Sequence, residues 1–294
     1  MEVRHVTVLG AGIMGSGIAH VAALGGFRTV LYDISSQILE SAHNLISANL
    51  KKGVALNKLS VEAMESALAN LTLCEGMEQA AQTDFVIEAV PEDMDLKIKM
   101  FAELDRLAPP HAIFASNTSA LSITEIAAAT GRPHKFIGMH FFNPVHKMKL
   151  IEIIRGLETD EDTFVTTQAV GQAMGKETVA VRESPGFVTS RINALIGNEA
   201  FYMLQEGVAS AEDIDKALKL GLNHPMGPFE MVDLVGLDTR LSILTYLHQT
   251  LGEKYRPCPL LTKYVKAGRL GRKVGRGVYE YQKSNIKNQI NIKE

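Results

Sequence analysis

A histidine and a glutamate with apolar neighbours lie twelve positions apart in the stretch GMHFFNPVHKMKLIEII, residues 138–154. They are His140 and Glu152. A carboxylate that accepts a hydrogen bond from one imidazole nitrogen fixes the tautomer and raises the basicity of the other nitrogen, which creates an acid/base pair. The alternative is that each group merely satisfies its hydrogen bonds at a strand end, as buried polar groups must. Two strands lying side by side across the connecting NPVHKMK segment would bring His140 against Glu152.

A glycine pattern near the start of the chain suits the diphosphate of a nucleotide. The β-branched run HVTVLG precedes Gly10, Gly12 and Gly15, a helix-like segment follows, and a second apolar run, RTVLYD, ends at Asp33. The first glycine permits a tight turn, the second lets the backbone approach a diphosphate, and the third lets the helix pack close to the strand. Asp33 would accept from ribose hydroxyls and repel a 2′-phosphate, and no arginine follows it in DISSQ. We therefore expect NAD rather than NADP as the cofactor.

Short apolar runs recur between helical segments, which predicts a mostly parallel, doubly wound α/β sheet. In such sheets, ligands lie beyond the carboxyl ends of the strands. The runs are FVIEAV (85–90), AIFAS (112–116), KFIGMHF (135–141), LIEII (150–154) and ETVAV (177–181). The polar residues at their ends are Glu92, Asn117, Ser119, His140 and Asn143. We expect these side chains to gather at one edge of the sheet.

A helical excursion separates the second strand from the next predicted run. Helical patterns cover residues 35–53 and 59–71, and Ser60 stands where it could cap the second helix. Lysines such as Lys52 and Lys58 lie on this excursion. They either form a solvated helix face or, as we expect for Lys52, meet phosphates of a substrate.

The hydrophobic pattern of the sequence changes after Arg182. The segment ESPGF, with a proline and a glycine, interrupts the strand pattern, and the residues that follow have helical periodicity. We place a domain boundary near residue 183, which gives an α/β domain at 1–183 and an all-helical domain at 184–294. HPMGPFEMVDLVGLD contains prolines and glycines, so we interpret it as an ordered turn between helices. The polar tail from residue 282 is expected to be frayed. Extended apolar helix faces are predicted at 186–206 and 229–250.

Composition excludes several classes of protein. The chain has 294 residues and a formal net charge of −3, so its charge does not favour nucleic acid or an anionic membrane as a partner. Cys74 and Cys258 lack motif spacing, which predicts neither a disulfide framework nor a metal site and favours a reducing, cytoplasmic location. Residues 6–27 contain no Asp, Glu, Lys or Arg but are rich in glycine, so we expect a strand, turn and helix there rather than a membrane or signal segment.

Longer strings of the sequence resemble the short-chain L-3-hydroxyacyl-CoA dehydrogenases, including bacterial enzymes for 3-hydroxybutyryl-CoA. The strings extend over nearly the whole chain: VTVLGAGIMGSGIA, EAVPED, SNTSALSI, GMHFFNPVHKMKLIEII, SPGFVTSRI, GLNHPMGPFEMVDLVGLDT and GRKVGRGVYEY. The resemblance implies a Rossmann-like NAD-binding domain, a helical C-terminal domain that forms a homodimer, and an active site in the cleft between them. It also implies reversible hydride transfer between a 3-hydroxyacyl-CoA and NAD.

The same resemblance implies roles for individual residues. His140 is the catalytic acid/base, Glu152 orients it, and Ser119 contacts both the substrate oxygen and the nicotinamide. Asn117 and Lys52 are further expected substrate contacts, although the lysines of this chain do not align cleanly with the coenzyme A contacts of the family. The expected dinucleotide contacts are Gly10, Gly12, Gly15, Asp33, Glu92, Lys97, Ser119, Asn143 and Lys273.

One catalytic position departs from the family pattern. Where the family has PGFVVNRI, this chain has PGFVTSRI, so Ser190 replaces an asparagine whose amide helps hold the substrate oxygen. A serine hydroxyl still donates a hydrogen bond, but it is shorter and has a single donor. Ser190 could therefore contact the substrate directly, act through a water, or merely cap a helix.

Two other functions remain open from the sequence. Relatives of the family oxidise free hydroxy acids such as L-gulonate, and fold alone does not fix the substrate. A protein that only senses NAD(H) is a second alternative, although it would have little reason to keep His140, Glu152 and Ser119 together.

Overall fold

The computed structural model of the chain describes residues 2–281. The tail that we expected to be frayed, from residue 282, lies outside the described residues. The chain divides into two compact units, Met1–Ser184 and Pro185–Glu294. Among the described helices, none combines the length and apolar composition that crossing a bilayer requires.

The described part of the first unit is built on an eight-stranded sheet, which confirms the predicted α/β class. The strand order is β3-β2-β1-β4-β5-β6-β7-β8. Neighbouring strands are parallel except for β6 and β7, which are antiparallel. The strands are β1 (His5–Leu9), β2 (Arg28–Tyr32), β3 (Leu71–Cys74), β4 (Phe85–Glu88), β5 (Ile113–Ser116), β6 (Phe136–Phe141), β7 (Leu150–Arg155) and β8 (Glu177–Arg182).

Helices connect the strands of this sheet and cover its apolar residues. The central strands are buried along their length, as their near-continuous apolar runs predict. Ser60 accepts a hydrogen bond from the backbone N–H of Ala63, so the predicted cap is present. The helices are α1 (Ile13–Leu24), α2 (Ser36–Ala55), α3 (Val61–Ala69), α4 (Met77–Ala80), α5 (Met94–Leu107), α6 (Ile123–Ala127) and α7 (Glu161–Ala173).

The sequence prediction was wrong about β3. Its first residue, Leu71, was assigned to the end of a helix, but α3 stops at Ala69 and β3 pairs in parallel with β2 from Thr29 onward. Four residues are too short a run to show a period of their own, so the pairing with β2 decides their conformation.

The second unit is helical in its described part. Its helices are α8 (Thr189–Glu206), α9 (Ala211–Gly221), α10 (Pro228–Val235), α11 (Leu237–Leu251) and α12 (Pro259–Lys266). A cluster of buried apolar side chains holds them together, with Phe201, Phe229 and Leu244 fully covered.

Two predictions in this unit need correction. The segment interpreted as an ordered turn contains α10, which Pro228 starts at its first position, where proline is well tolerated. The helix expected at 229–250 is two helices, α10 and α11, separated by Gly236. That glycine has φ of +107°, a conformation that other residues rarely adopt, so the chain breaks there.

Buried carboxylates stabilise the ends of the second unit. Asp215 accepts from the backbone N–H groups of Phe229 and Glu230 in the first turn of α10, at 2.8 and 3.1 Å. Asp233 accepts from the N–H groups of Val278 and Tyr279, at 2.8 and 2.9 Å. The first two bonds fasten α9 to α10, and the other two fasten the C-terminal segment of the described chain to α10.

Candidate active site

The antiparallel pairing of β6 with β7 sets the geometry of the histidine and the glutamate. Their register places His140 directly opposite Glu152. The His140 Nδ1 atom lies 2.7 Å from Glu152 Oε2, and the two residues are 5% and 0% exposed. A carboxylate can only accept here, so Nδ1 carries the proton and the lone pair remains on Nε2. The contact expected from the sequence is therefore present, and it has the form of an acid/base pair.

Asn117 fixes the strand end next to this pair. Its side-chain Oδ1 atom accepts from the backbone N–H of Phe141 at 2.9 Å. The backbone N–H of Asn117 donates to the backbone carbonyl of Glu88 at 2.8 Å. The side chain therefore ties β5 to the carboxyl end of β6, one residue after His140. The side-chain Nδ2 atom of Asn117 can still donate to a substrate, but its Oδ1 atom is used in the contact with β6.

The glycine turn has the shape that a dinucleotide needs. Gly10 has φ of +92°, and a Cβ at Gly15 would lie 1.7 Å from the Gly10 carbonyl oxygen, so both positions exclude larger residues. At Gly12, by contrast, no described atom lies within 4 Å of a Cβ position, which leaves the backbone open to a ligand. No described side chain caps α1, so its first N–H groups face this opening.

Asp33 lies beside this turn at the end of β2. Its Oδ2 atom accepts from the N–H of Ala11 at 2.9 Å and its Oδ1 atom accepts from the N–H of Ser35 at 3.1 Å. These bonds hold the carboxylate next to the glycine turn, where it can accept from ribose hydroxyls. The residues present therefore fit NAD, with the turn for the diphosphate and Asp33 for the adenosine ribose.

A buried network that the sequence interpretation missed lies at the end of β4. The carboxylate of Glu88 is fully buried and receives the Lys97 ammonium at 2.5 Å on Oε1 and the Ser116 hydroxyl at 2.5 Å on Oε2. Burial raises the pKa of Glu88, while Lys97 and Ser116 oppose that rise. The available signal was a single acid within the apolar run FVIEAV. Lys97, an expected dinucleotide contact, is only 1% exposed.

Glu92 connects this network to the loop that carries Ser119. Its Oε2 atom lies 3.4 Å from the Lys97 ammonium. Its Oε1 atom accepts from the Thr118 hydroxyl at 2.5 Å and from the Ser119 N–H at 2.9 Å. Glu92 and Ser119, both predicted site residues, are therefore brought together by the structure.

A second set of basic groups surrounds the segment after β6. The imidazoles of His20 and His146 stack with their centroids 5.6 Å apart. Burial, followed by the charges of His146 and Lys176, lowers the pKa of His20 to about 4. Lys52 is exposed, and its charge contributes to the lowered pKa of His146, whose first cause is burial. His20 and Lys176 were not singled out from the sequence. Asn143 follows β6 and is exposed.

Two predicted site residues belong to the second unit. Ser190 is the second residue of α8, whose N-cap is Val188. Ser190 is therefore not the N-cap of α8, which rules out the alternative that this serine merely caps the helix. Lys273 donates to both carboxylate oxygens of Asp238, at 2.7 and 2.6 Å, a partner that the sequence did not reveal.

Comparison with known proteins places the chain in a family. Residues 5–184 match the NAD binding domain of 3-hydroxyacyl-CoA dehydrogenase, and residues 186–281 match its C-terminal domain. The probable 3-hydroxybutyryl-CoA dehydrogenase of Bacillus subtilis is 50% identical over 96% of this chain and 99% of its own length. Human mitochondrial hydroxyacyl-coenzyme A dehydrogenase is 42% identical over 95% of this chain and 92% of its own.

A solved structure gives the same result. The crystal structure of (S)-3-hydroxybutyryl-CoA dehydrogenase PaaH1 from Ralstonia eutropha has a TM-score of 0.94 and 44% identity, covering 96% of this chain and 100% of that one. The two domain matches, the full-length relatives and this structure agree with the resemblance drawn from the sequence strings. The chain therefore belongs to the NAD-dependent 3-hydroxyacyl-CoA dehydrogenase family.

Proposed function

We propose that this chain interconverts (S)-3-hydroxybutyryl-CoA and acetoacetyl-CoA, with NAD as the cofactor. The observation that carries the proposal is the buried contact of 2.7 Å between His140 Nδ1 and Glu152 Oε2. The similar proteins from Bacillus subtilis and Bradyrhizobium diazoefficiens carry the name of the four-carbon substrate, which supports a short acyl chain.

In the proposed mechanism, His140 moves the proton. During oxidation, its Nε2 atom takes the proton of the C3 hydroxyl, and during reduction it returns that proton to the forming alkoxide. Glu152 holds the proton on Nδ1 and stabilises the imidazolium that appears. When bound at the glycine turn and Asp33, NAD would supply the hydride acceptor for C3, and NADH the hydride donor. The hydroxyl of Ser119 steadies the substrate oxygen, and Ser190 acts as a second donor.

The proposed cofactor contacts follow from the residues around the glycine turn. Gly10, Gly12 and Gly15 would receive the diphosphate, and Asp33 the adenosine ribose. A carboxylate at that position disfavours a 2′-phosphate, so NADPH should be a poor substitute. The remaining contacts that we propose are Glu92, Lys97, Ser119, Asn143 and Lys273.

We further propose that residues 184–294 form the substrate and dimerisation domain. Apolar side chains are exposed on its helices, with Ile192 of α8 at 54% and Leu234 of α10 at 43% exposure. Such residues are typical of an isologous homodimer interface. We also propose that Lys52 contacts a phosphate of coenzyme A, and that the enzyme works in the cytoplasm, where its free cysteines stay reduced.

A steady-state comparison tests this function. The purified chain should reduce acetoacetyl-CoA with NADH at least about 100-fold more efficiently than it turns over acetoacetate or L-gulonate. Longer 3-oxoacyl-CoAs should be poorer substrates. In Asp33→Ala, the difference in KM between NADH and NADPH should be smaller than in the wild type. A preference for a free acid would overturn the acyl-CoA assignment, and NAD binding without any turnover would favour a sensor.

Light scattering at micromolar concentration should give twice the chain mass of 32.1 kDa.

A further inference from the structure

The buried network at the end of β4 contains more carboxylate than ammonium charge. Glu88 and Glu92 share the single ammonium of Lys97, at 2.5 and 3.4 Å. The three formal charges, −1, −1 and +1, sum to −1. Glu88 and Lys97 are 0% and 1% exposed, so solvent screens their charges poorly, whereas the Glu92 side chain is 43% exposed.

The network is held rigidly and leads directly to the predicted reaction site. Ser116 donates to Glu88 at 2.5 Å, and the N–H of Val90 donates to the same carboxylate at 2.8 Å. The Thr118 hydroxyl donates to Glu92 while accepting from the N–H of Leu121 at 2.8 Å.

The Ser119 N–H donates to Glu92 Oε1, and this hydrogen bond connects the network directly to the serine assigned to the substrate oxygen and the nicotinamide. The unit of negative charge therefore has a fixed position beside that serine.

We propose that Glu88 is a positioning residue that sets the relative affinity of the site for oxidised and reduced cofactor. It anchors Lys97, which aligns Glu92, and it leaves the network with a net charge of −1. The nicotinamide ring is cationic in NAD⁺ and neutral in NADH, so this charge stabilises bound NAD⁺ relative to bound NADH. The inference rests on the proposed function, because that function assigns Ser119 to the nicotinamide.

Substitutions that change the charge sum test this role through binding rather than turnover. The dissociation constants of NAD⁺ and NADH are measured by calorimetry and by NADH fluorescence on the full-length chain. Glu88→Gln brings the sum to 0 and should raise the ratio Kd(NAD⁺)/Kd(NADH) about 3- to 30-fold. The double variant Glu88→Gln/Lys97→Gln restores the sum to −1 and should return the ratio close to that of the wild type. A merely structural role would not produce this rescue.

A matched control lies at the other end of the same strand. Asp84 immediately precedes β4, about 13 Å from Glu88 at the usual rise of a strand, so Asp84→Asn removes the same charge far from the network. Its ratio should equal that of the wild type.

Glu92→Gln is a second test in case Glu88→Gln fails to fold, because the Glu92 side chain is 43% exposed. Removing the charge of Glu92 also brings the net charge of the network to 0. It should raise the ratio as well.

Specific results would overturn the inference. If Glu88→Gln and Glu92→Gln weaken both nucleotides equally, or leave the ratio unchanged, the charge of the network does not select the oxidation state. Wild-type turnover of acetoacetyl-CoA, measured on the same preparation, reports the proposed function separately. An unchanged ratio in an active enzyme therefore overturns only the role of Glu88, whereas a wild type that binds neither nucleotide overturns both.

Discussion

Buried carboxylates occur in both units of this protein, but their partners differ. Glu88 and Glu152 of the first unit are both 0% exposed, and Asp215 and Asp233 of the second are 2% and 1% exposed. Each glutamate faces a side chain that carries or exchanges a proton, the ammonium of Lys97 or the imidazole of His140. The aspartates face backbone N–H groups and tyrosine hydroxyls.

The comparison shows that burial of an acid does not by itself indicate chemistry. Burial, followed by Asp215, raises the pKa of Tyr279, and burial followed by Asp233 raises that of Tyr281, so these tyrosines keep their protons at neutral pH. A carboxylate surrounded by such donors fastens the backbone. One that meets an imidazole at a strand end can take part in a reaction.

The largest expected effect falls on the dyad of the first unit. His140→Ala removes the proton acceptor and Glu152→Gln removes the carboxylate that fixes its tautomer, so each should lower kcat about 10²- to 10⁴-fold. NADH binding, followed by fluorescence, should survive in both variants. A kcat near that of the wild type in either variant would show that Glu152 and His140 are structural, like the aspartates of the second unit.

The next effect concerns stability in the second unit. Asp233→Asn places an amide against the N–H groups of Val278 and Tyr279, so the free energy of unfolding should fall by about 2 to 4 kcal/mol. Urea denaturation measures the loss, and kcat at a temperature well below the melting point should stay within a few-fold of the wild type. Asp213→Asn, at an exposed position in the first turn of α9, is the control and should cost less than about 1 kcal/mol.

A smaller effect is expected at Ser190, where the chain departs from its family. If the hydroxyl donates to the substrate oxygen, Ser190→Ala should lose on the order of 1 to 3 kcal/mol of transition-state stabilisation, or about 5- to 150-fold in kcat/KM. Because Val188 and not Ser190 is the N-cap of α8, the melting temperature should hardly change. Ser190→Asn, which restores the family residue, should retain activity. A lower melting temperature with unchanged kcat/KM would assign Ser190 to the fold.

The smallest effect concerns His20, a buried histidine with no carboxylate partner among the residues described. Its pKa is lowered from 6.5 to about 4, first by burial, so between these values the unfolded chain takes up a proton that the folded chain refuses. Stability should therefore fall as the pH decreases from 7 to 5, by about 1 to 2 kcal/mol from this group. In His20→Gln, urea midpoints at the two pH values should differ less than in the wild type. An equal pH dependence in both proteins would show that His20 does not contribute.

Local patterns predicted much of the first unit. The glycine turn and the runs around His140 and Glu152 each lie within a short stretch, so their geometry follows from strand and turn preferences alone. The register that pairs His140 with Glu152 follows from two adjacent strands joined by a short connection. That is why the contact could be expected from the sequence.

Partners that are distant in sequence could not be predicted in this way. Ser116 meets Glu88 across 28 positions, and Lys273 meets Asp238 across 35, so no local period indicates either contact. The helix α10 was missed because prolines and glycines around it suggested a turn, although Pro228 is acceptable at its first position. Tertiary packing decides such short elements.

The single antiparallel pair among the described strands has a consequence for how the dyad arises. His140 and Glu152 are 12 positions apart, so they meet by closing a short loop, which costs little chain entropy compared with the crossovers of the parallel strands. The hairpin of β6 and β7 can therefore form early in folding, before the distant partners of Glu88 assemble. Because the ladder sets the register, pairing of β6 with β7 is enough to place His140 opposite Glu152.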